Sequence, residues 1–266
     1  MAQSIVKVII NAIIRLLPIA IVLGIWQSVA SLHWVDTAFL PAPVGIARAL
    51  GDLLSGHEIR DNLGVTLFRA LAGLALAAVS GVWFGVGMAR SWIFNAIASP
   101  LVGATYSLPK TAIVPLLILW FGIGSTMGIL AVYLTCLLPI IVQTYHGVRA
   151  TPAVVIWSAQ SMGASARQIL WQIFMPHALP DIFTGLRIAL GFAFVVAISA
   201  EMIASTAGIG RLIFMYGENG SYDYMFAAVA SIVIAAFLAD RALLALSARC
   251  LRWHPSQAGT NLGATA

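Results

Sequence analysis

The sequence predicts an all-α membrane protein of about six transmembrane helices, and three observations predict it. The 266 residues are 61% hydrophobic and only 9% charged, where a soluble domain carries roughly 25% charged residues. Mean hydropathy is +0.98. The apolar residues come in long runs of ~20, the length that crosses a ~30 Å hydrocarbon core as a helix.

In chain order, Lys7 and Arg15 precede the first run, residues 16–32. No small-residue cleavage site follows, so this run is read as a retained span. Residues 33–61 turn polar and hold Asp36, Asp52, Glu58 and Asp61, with FLPAP at 39–43 and a short helix over 44–54. Span two covers 64–89 and is closed by Arg90. Along it Gly73, Ala77, Gly81, Gly85 and Ala89 recur every fourth residue, a small-residue stripe suited to close helix packing. Span three, 97–120, is interrupted by Pro100, Pro109 and Pro115, and FGIGSTMG at 121–128 turns the chain into span four, 129–146. Span five runs from 181 or 182 to 205. TAGIGRL and GENGSYD then form a loop before span six, 224–246, and a polar tail. No internal repeat is visible. The organisation expected is an N-terminal span with its polar segment (1–62), a core of five spans including the loop 150–180 (63–252), and the tail (253–266).

The rest of the chain is organised around TPAVVIWSAQSMGASARQILWQIFMPHALP, residues 151–180. Thr151 can cap a helix whose first position is Pro152, where no backbone donor is needed. That helix stops at Gly163, which is free to take the left-handed conformation. Ser165 and Gln168 have the spacing of a capping box for a second helix, which Pro176 ends. Ile169, Leu170, Ile173 and Phe174 share one face and Arg167, Gln168 and Gln172 lie off it. A helix–Gly–helix plug of this kind suits docking to a partner. An amphipathic segment lying on the membrane surface is the other reading of the same pattern.

With the N-terminus inside, the inner ends and loops hold Lys7, Arg15, Arg90, Arg149, Arg167, Arg187, Arg249 and Arg252, while the outer segments hold Arg48, Arg60, Arg69 and Arg211. This positive-inside bias places the 151–180 loop and both termini in the cytoplasm. Net charge +5 suits basic loops against an anionic leaflet, with no nucleic acid needed to explain it. Cys136 and Cys250 imply neither a disulfide framework nor a metal site. His33, His57, His146, His177 and His254 are scattered, and no phosphate loop, metal-ligand spacing or nucleophile elbow is present. The chain is therefore expected to have no catalytic residues and no metal or cofactor of its own.

Two ionisable side chains fall inside expected spans, where a charge costs at least ~2.5 kcal/mol unless it is paired or faces water. Lys110 follows Pro109 in the broken span three and has two readings: a cation on a translocation path, or a structural partner of Glu201 in span five. Glu201 is the second candidate for the translocation path, with a structural hydrogen-bonding role as its other reading. Asp240 and Arg241 read as an interfacial charge pair.

The spacing Ala159-x-x-x-Gly163, nine residues, Ile173-x-Met175-Pro176 resembles the "EAA" loop of ABC-importer permeases. PLLILWFGIG at 115–124, GASARQI, ALPDIFTGLRIALG and AEMIASTAGIG are similar to the branch that imports sulfonates, taurine, nitrate and related anions. Trp157 stands where that family usually has Glu, Ser158 where it has its first Ala, and Met175 replaces Leu. The resemblance covers about 39–253. It implies a type I ABC importer transmembrane domain, probed by its ATPase through Trp157, Ser158, Ala159, Gly163, Ala164 and Arg167. It implies two ATPase subunits carrying ATP and Mg, a periplasmic or lipid-anchored substrate-binding protein, and a second permease copy as a homodimer in a bacterial cytoplasmic membrane. Two further classes are open on residues alone: an ion-gradient-driven secondary transporter, which usually shows two related halves, and a membrane scaffold, which needs no capped helix pair.

Overall fold

The computed structural model describes residues 2–32, 34–36, 39–106 and 109–253, with side chains from residue 17 onward except at 106. His33, His254, the tail beyond Trp253, and the side chains of Lys7 and Arg15 lie outside the described residues. Every regular element described is helical. They are α1 (Ala2–Ser31), α2 (Pro43–Ser55), α3 (Glu58–Arg90), α4 (Trp92–Tyr106), a 3-10 turn (Lys110–Ile113), α5 (Val114–Phe121), α6 (Ser125–Arg149), α7 (Ala153–Ser161), α8 (Ala166–Ile169), a π turn (Leu170–Phe174), α9 (Met175–Ile203), α10 (Ile209–Glu218) and α11 (Tyr222–Cys250).

Among the described residues four helices are long and apolar enough to cross a membrane: Glu58–Arg90, Ser125–Arg149, Ala166–Ile203 and Tyr222–Cys250. The stretch rich in proline is apolar enough only as a bent pair, Trp92–Thr105 and Lys110–Phe121, whose halves meet at 93°, the geometry of a broken span or a re-entrant loop. In α1 the described apolar part is Leu17–Ser31.

The bundle is built around α6, which packs against α3 on one side and α9 on the other. Small residues decide the first contact. A Cβ on Gly73 would stand 2.7 Å from Val132, one on Gly81 3.0 Å from Ile140, and one on Gly85 2.7 Å from both Thr144 and the Ile141 carbonyl. No hydrophobic effect drives helices together inside lipid, so close backbone approach and dispersion carry the association. Val132, Cys136, Ile140, Ala189, Ala193 and Ala197 fill the seam beside it. The end of the bundle that carries α7 and α8 is called the loop end below.

At the opposite end α2, the start of α3, α10 and the start of α11 form a small polar-capped layer around Ile46, Leu53, Ile59 and Ala227. His57 takes φ +64° and makes the tight corner between α2 and α3. The Tyr216 hydroxyl donates to Glu58 at 2.8 Å. Burial and that carboxylate push the Tyr216 phenol above its ordinary range.

Three expectations are corrected here. Pro176 does not end the second loop helix: helix continues without a break from Ala166 to Ile203. The wider π turn at Leu170–Phe174 shifts the bonding, Met175 N–H donating to the Leu170 carbonyl, so the proline ring meets no crowded helical carbonyl. The loop after span five contains α10, whose Ile209, Leu212 and Ile213 are buried while Arg211 and Phe214 are exposed. A ten-residue amphipathic helix between glycines is easily read as a turn. Arg69 belongs to no outer segment; it is buried within α3 at 4% exposure.

The α3–α6 seam makes a prediction. Gly85→Ala places a methyl against the Ile141 carbonyl and should lower stability by about 1–3 kcal/mol, the cost of overpacking. Gly103→Ala in α4, where nothing lies within 4 Å of the new atom, should cost nothing. Thermal unfolding of both variants in detergent checks this; equal melting would remove the seam argument.

Candidate functional site

Two constellations at opposite ends of the bundle carry the candidate functional residues. At the loop end, α6 finishes at Arg149 and residues 150–152 lead into α7. Thr151 does not cap α7. Its N–H bonds back to the Val148 carbonyl, so Thr151 still belongs to the last turn of α6, and its buried hydroxyl has no partner. Pro152, extended at ψ 133°, occupies the N-cap position instead.

The far end of α7 follows the sequence signals closely. Gly163 adopts φ +81°. Its N–H donates to Gln160 O at 2.9 Å and Ala164 N–H donates to Ala159 O at 3.0 Å, the paired bonds of a Schellman motif. Ser165 then caps α8 reciprocally: Ser165 N–H donates to Gln168 Oε1 at 2.8 Å, and Gln168 N–H donates to Ser165 Oγ at 3.3 Å. Two caps back to back leave the corner with little conformational freedom.

Of the residues singled out on this loop, Trp157, Ser158, Gly163 and Arg167 are exposed, Ala164 is half-buried and Ala159 is buried. Trp157 is 64% exposed and Met162 82% exposed. Val154 and Trp171 are also exposed, so the loop presents an apolar, nearly uncharged face. Sequence reasoning missed Met162, Val154 and Trp171, although three large apolar residues in a segment expected outside the membrane are the available signal. The loop is held by aromatic contacts to the end of α3: Trp83 lies edge-on to Trp171 at 5.7 Å, and the Arg90 guanidinium sits 5.8 Å over the Phe174 ring.

At the opposite end, Glu201 is 2% exposed and forms an ion pair with Arg69 at 2.9 Å. Its second oxygen accepts from Thr66 Oγ1 at 2.8 Å and from the Gly210 N–H at 3.0 Å. Arg69 also donates to Ser205 Oγ and the Ala207 carbonyl, both at 2.9 Å, and to Ser125 Oγ at 3.2 Å. Asn62 Oδ1 accepts from Gly208 N–H at 2.7 Å. The knot ties α3, α6, α9 and the start of α10 into one corner. Gly208, at φ +122°, lies so close to the Glu201 carboxyl that no side chain fits there. The glycines of AEMIASTAGIG thus make room for the acid in the same motif.

The partner of Glu201 is Arg69, not Lys110, 132 positions away in the chain. Lys110 heads the 3-10 turn after Pro109, half-buried, with that turn packed against α6 and α9. Glu201 and Lys110 are therefore not brought together by any contact described between them. Asp240 pairs with Arg241 and also with Arg187 of α9. Among the described residues no group of three or more His, Cys, Asp or Glu is placed to hold a metal ion.

Known proteins are similar to this chain in sequence and in fold. The model of the family described as "Binding-protein-dependent transport system inner membrane component" matches residues 77–252. The taurine transport system permease protein TauC of Escherichia coli (strain K12) is 36% identical over 241 residues, covering 89% of this chain and 88% of that one. The putative aliphatic sulfonates transport permease protein SsuC of the same organism is 31% identical over 256 residues, covering 96% and 97%. Among solved structures, an inward-facing form of the MetNI methionine ABC transporter matches with TM-score 0.62 at 20% identity, over 72% of this chain and 95% of that one. The fold is that of a type I ABC importer membrane subunit.

The buried pair yields a prediction. Glu201→Ala leaves the Arg69 charge uncompensated and should cost about 3–5 kcal/mol, whereas replacing both, Arg69→Met with Glu201→Leu, should recover most of that loss. A double-mutant cycle of thermal unfolding and membrane yield reads it. A double variant no more stable than Glu201→Ala would sink the pairing account.

Proposed function

The chain belongs to the family of binding-protein-dependent transport system inner membrane components, and from that premise we propose that it moves a small sulfonate-type anion and couples to its ATPase through residues 151–180. As an ABC importer permease it works with an ATPase partner and a substrate-binding protein, which the family implies. The finer assignment is two ATPase subunits, each carrying ATP and Mg, beneath two identical copies of this chain, with a periplasmic or lipid-anchored binding protein above. The loop end and both termini lie in the cytoplasm of a bacterial cell, as the arginine distribution favours; the Arg69–Glu201 corner then faces the binding protein.

The observation that carries the coupling role is the doubly capped corner at Gly163–Ser165 beside exposed Trp157 and Met162. A partner groove needs a rigid knob with apolar anchors, because preformed shape spares the ordering cost of docking. Trp157, Ser158, Ala159, Gly163, Ala164 and Arg167 make that knob, with the Trp157 ring providing apolar contact where the "EAA" pattern it resembles has Glu. Similarity to permeases named for taurine and aliphatic sulfonates supports the substrate class. Lys110, after the Pro109 break, is the cation we assign to the path in span three; Glu201 serves the path by holding its outer corner.

The complex reconstituted in vesicles with its binding protein tests this through sulfonate-dependent ATP hydrolysis and uptake. Gly163→Val forces a β-branched residue to φ +81°, a strain of order 1–3 kcal/mol. It should cut uptake about tenfold or more relative to ATP hydrolysis. Uptake and hydrolysis falling in proportion would count against coupling through this corner. In the same assay Lys110→Ala should weaken uptake of the anion severalfold, as loss of one charged contact does. Unchanged uptake and substrate preference would take Lys110 off the path. A wild-type complex indifferent to every sulfonate would overturn the substrate class.

A further inference from the structure

Where α9 meets α11, three charged side chains form a cluster with no role so far. Arg187 Nε donates to Asp240 Oδ1 at 2.7 Å and its Nη2 to Oδ2 at 3.3 Å. Arg241 Nη2 donates to Oδ2 at 2.8 Å. The two arginines are 52% and 54% exposed and Asp240 24%. Their depth follows from helix geometry. Along the continuous helix Arg187 lies about 20 Å from Phe174, the ring beneath Arg90, and about 21 Å from Glu201, at ~1.5 Å per residue. On spans of 181–205 and 224–246 the cluster lies inside the membrane toward the loop end, about six residues or ~9 Å from the boundary.

Guanidinium groups directed at acyl chains within a span are costly, and such groups instead face water-filled paths or polar partners. This cluster combines two cations with one anion, and each arginine keeps most of its five N–H donors for another acceptor. Directly beside it an apolar trough of about 340 Å³ runs between the helices, walled by Leu190, Gly191, Phe194, Val195, Ile232 and Val233. Excess positive charge at one end of a short apolar trough complements an anion that carries an alkyl tail.

We propose that Arg187, Asp240, Arg241 and the trough between α9 and α11 form a membrane-embedded station of the transported sulfonate on the loop-end side. The head group accepts hydrogen bonds from both guanidinium groups and the tail lies along Phe194 and Ile232. Asp240 is a positioning residue: it orients both arginines and keeps the net charge low enough for the anion to leave. The inference rests on the sulfonate reading above.

Its test uses the complete reconstituted complex with taurine and 1-butanesulfonate as probes. Arg241→Gln retains the Arg187–Asp240 pair and should raise the uptake KM for both probes about tenfold, the scale of one charge-assisted hydrogen bond. Arg241→Lys should recover part of it. Gly191→Leu fills open space, since nothing lies within 4 Å of its new Cβ. It should raise KM for butanesulfonate more than for taurine. In a Cys250→Ser background, Ala236→Cys should react with a membrane-impermeant thiosulfonate and be protected by taurine. Unchanged KM in Arg241→Gln and Gly191→Leu, or a cysteine that stays unreactive because lipid or the second copy covers it, overturns the station. Because wild-type uptake is measured alongside, a wild type that ignores both sulfonates fells the substrate reading, whereas normal wild-type uptake with normal variants fells only this one.

Discussion

Two opposite charges buried together, Arg69 and Glu201, hold the rest of this structure in register. Neither could be desolvated alone, and each completes its hydrogen bonding elsewhere: Glu201 accepts from Thr66 of α3 and the Gly210 N–H, and Arg69 donates to Ser125 of α6, to Ser205 and to the Ala207 carbonyl. In a solvent without hydrogen-bond donors such a set is satisfied in one arrangement or penalised in many. That condition fixes the rotation of α3 and α9 about their axes, and with it the face that α3 turns to α6. The glycine stripe then allows those faces to close. Close approach supplies the contact, while the ion pair selects which close approach is reached.

The loop at the other end is specified by local chemistry instead. The Schellman turn at Gly163 and the Ser165–Gln168 capping box involve neighbours in sequence, so they can be read directly from the chain. The same is true of the apolar runs, the short helix α2 and the small-residue stripe on α3. These features are set by interactions over three to five residues, or by composition alone.

What could not be read involves distant partners or a local rule overridden. Arg69 lies near the start of an apolar run, so its charge reads as a boundary; only a carboxylate 132 positions later makes it an interior residue. Pro176 carries the ordinary stop signal for a helix, and a single π turn before it absorbs the missing donor and the ring clash. Thr151 has the composition of a cap, yet its amide is drawn back into the last turn of α6. The α9–α11 charge cluster was half visible: Asp240 and Arg241 are adjacent, whereas Arg187 joins them only through packing.

The helix from Ala166 to Ile203 has a further consequence. At 38 residues it is about 57 Å long, and it begins one residue after the capped corner and ends two residues beyond Glu201. It therefore behaves as a beam that runs from one aqueous face to the other. The chain on the far side of α7 reaches α6 only through residues 150–152. A displacement applied at the corner divides unequally: α9 must follow as a rigid arm, while the short link to α6 can flex. Tilting of that arm would load the charged corner at its tip and slide its flank past α11. Force taken up at the loop is thus delivered preferentially along one helix, and the asymmetry is built into which side of the corner has a joint.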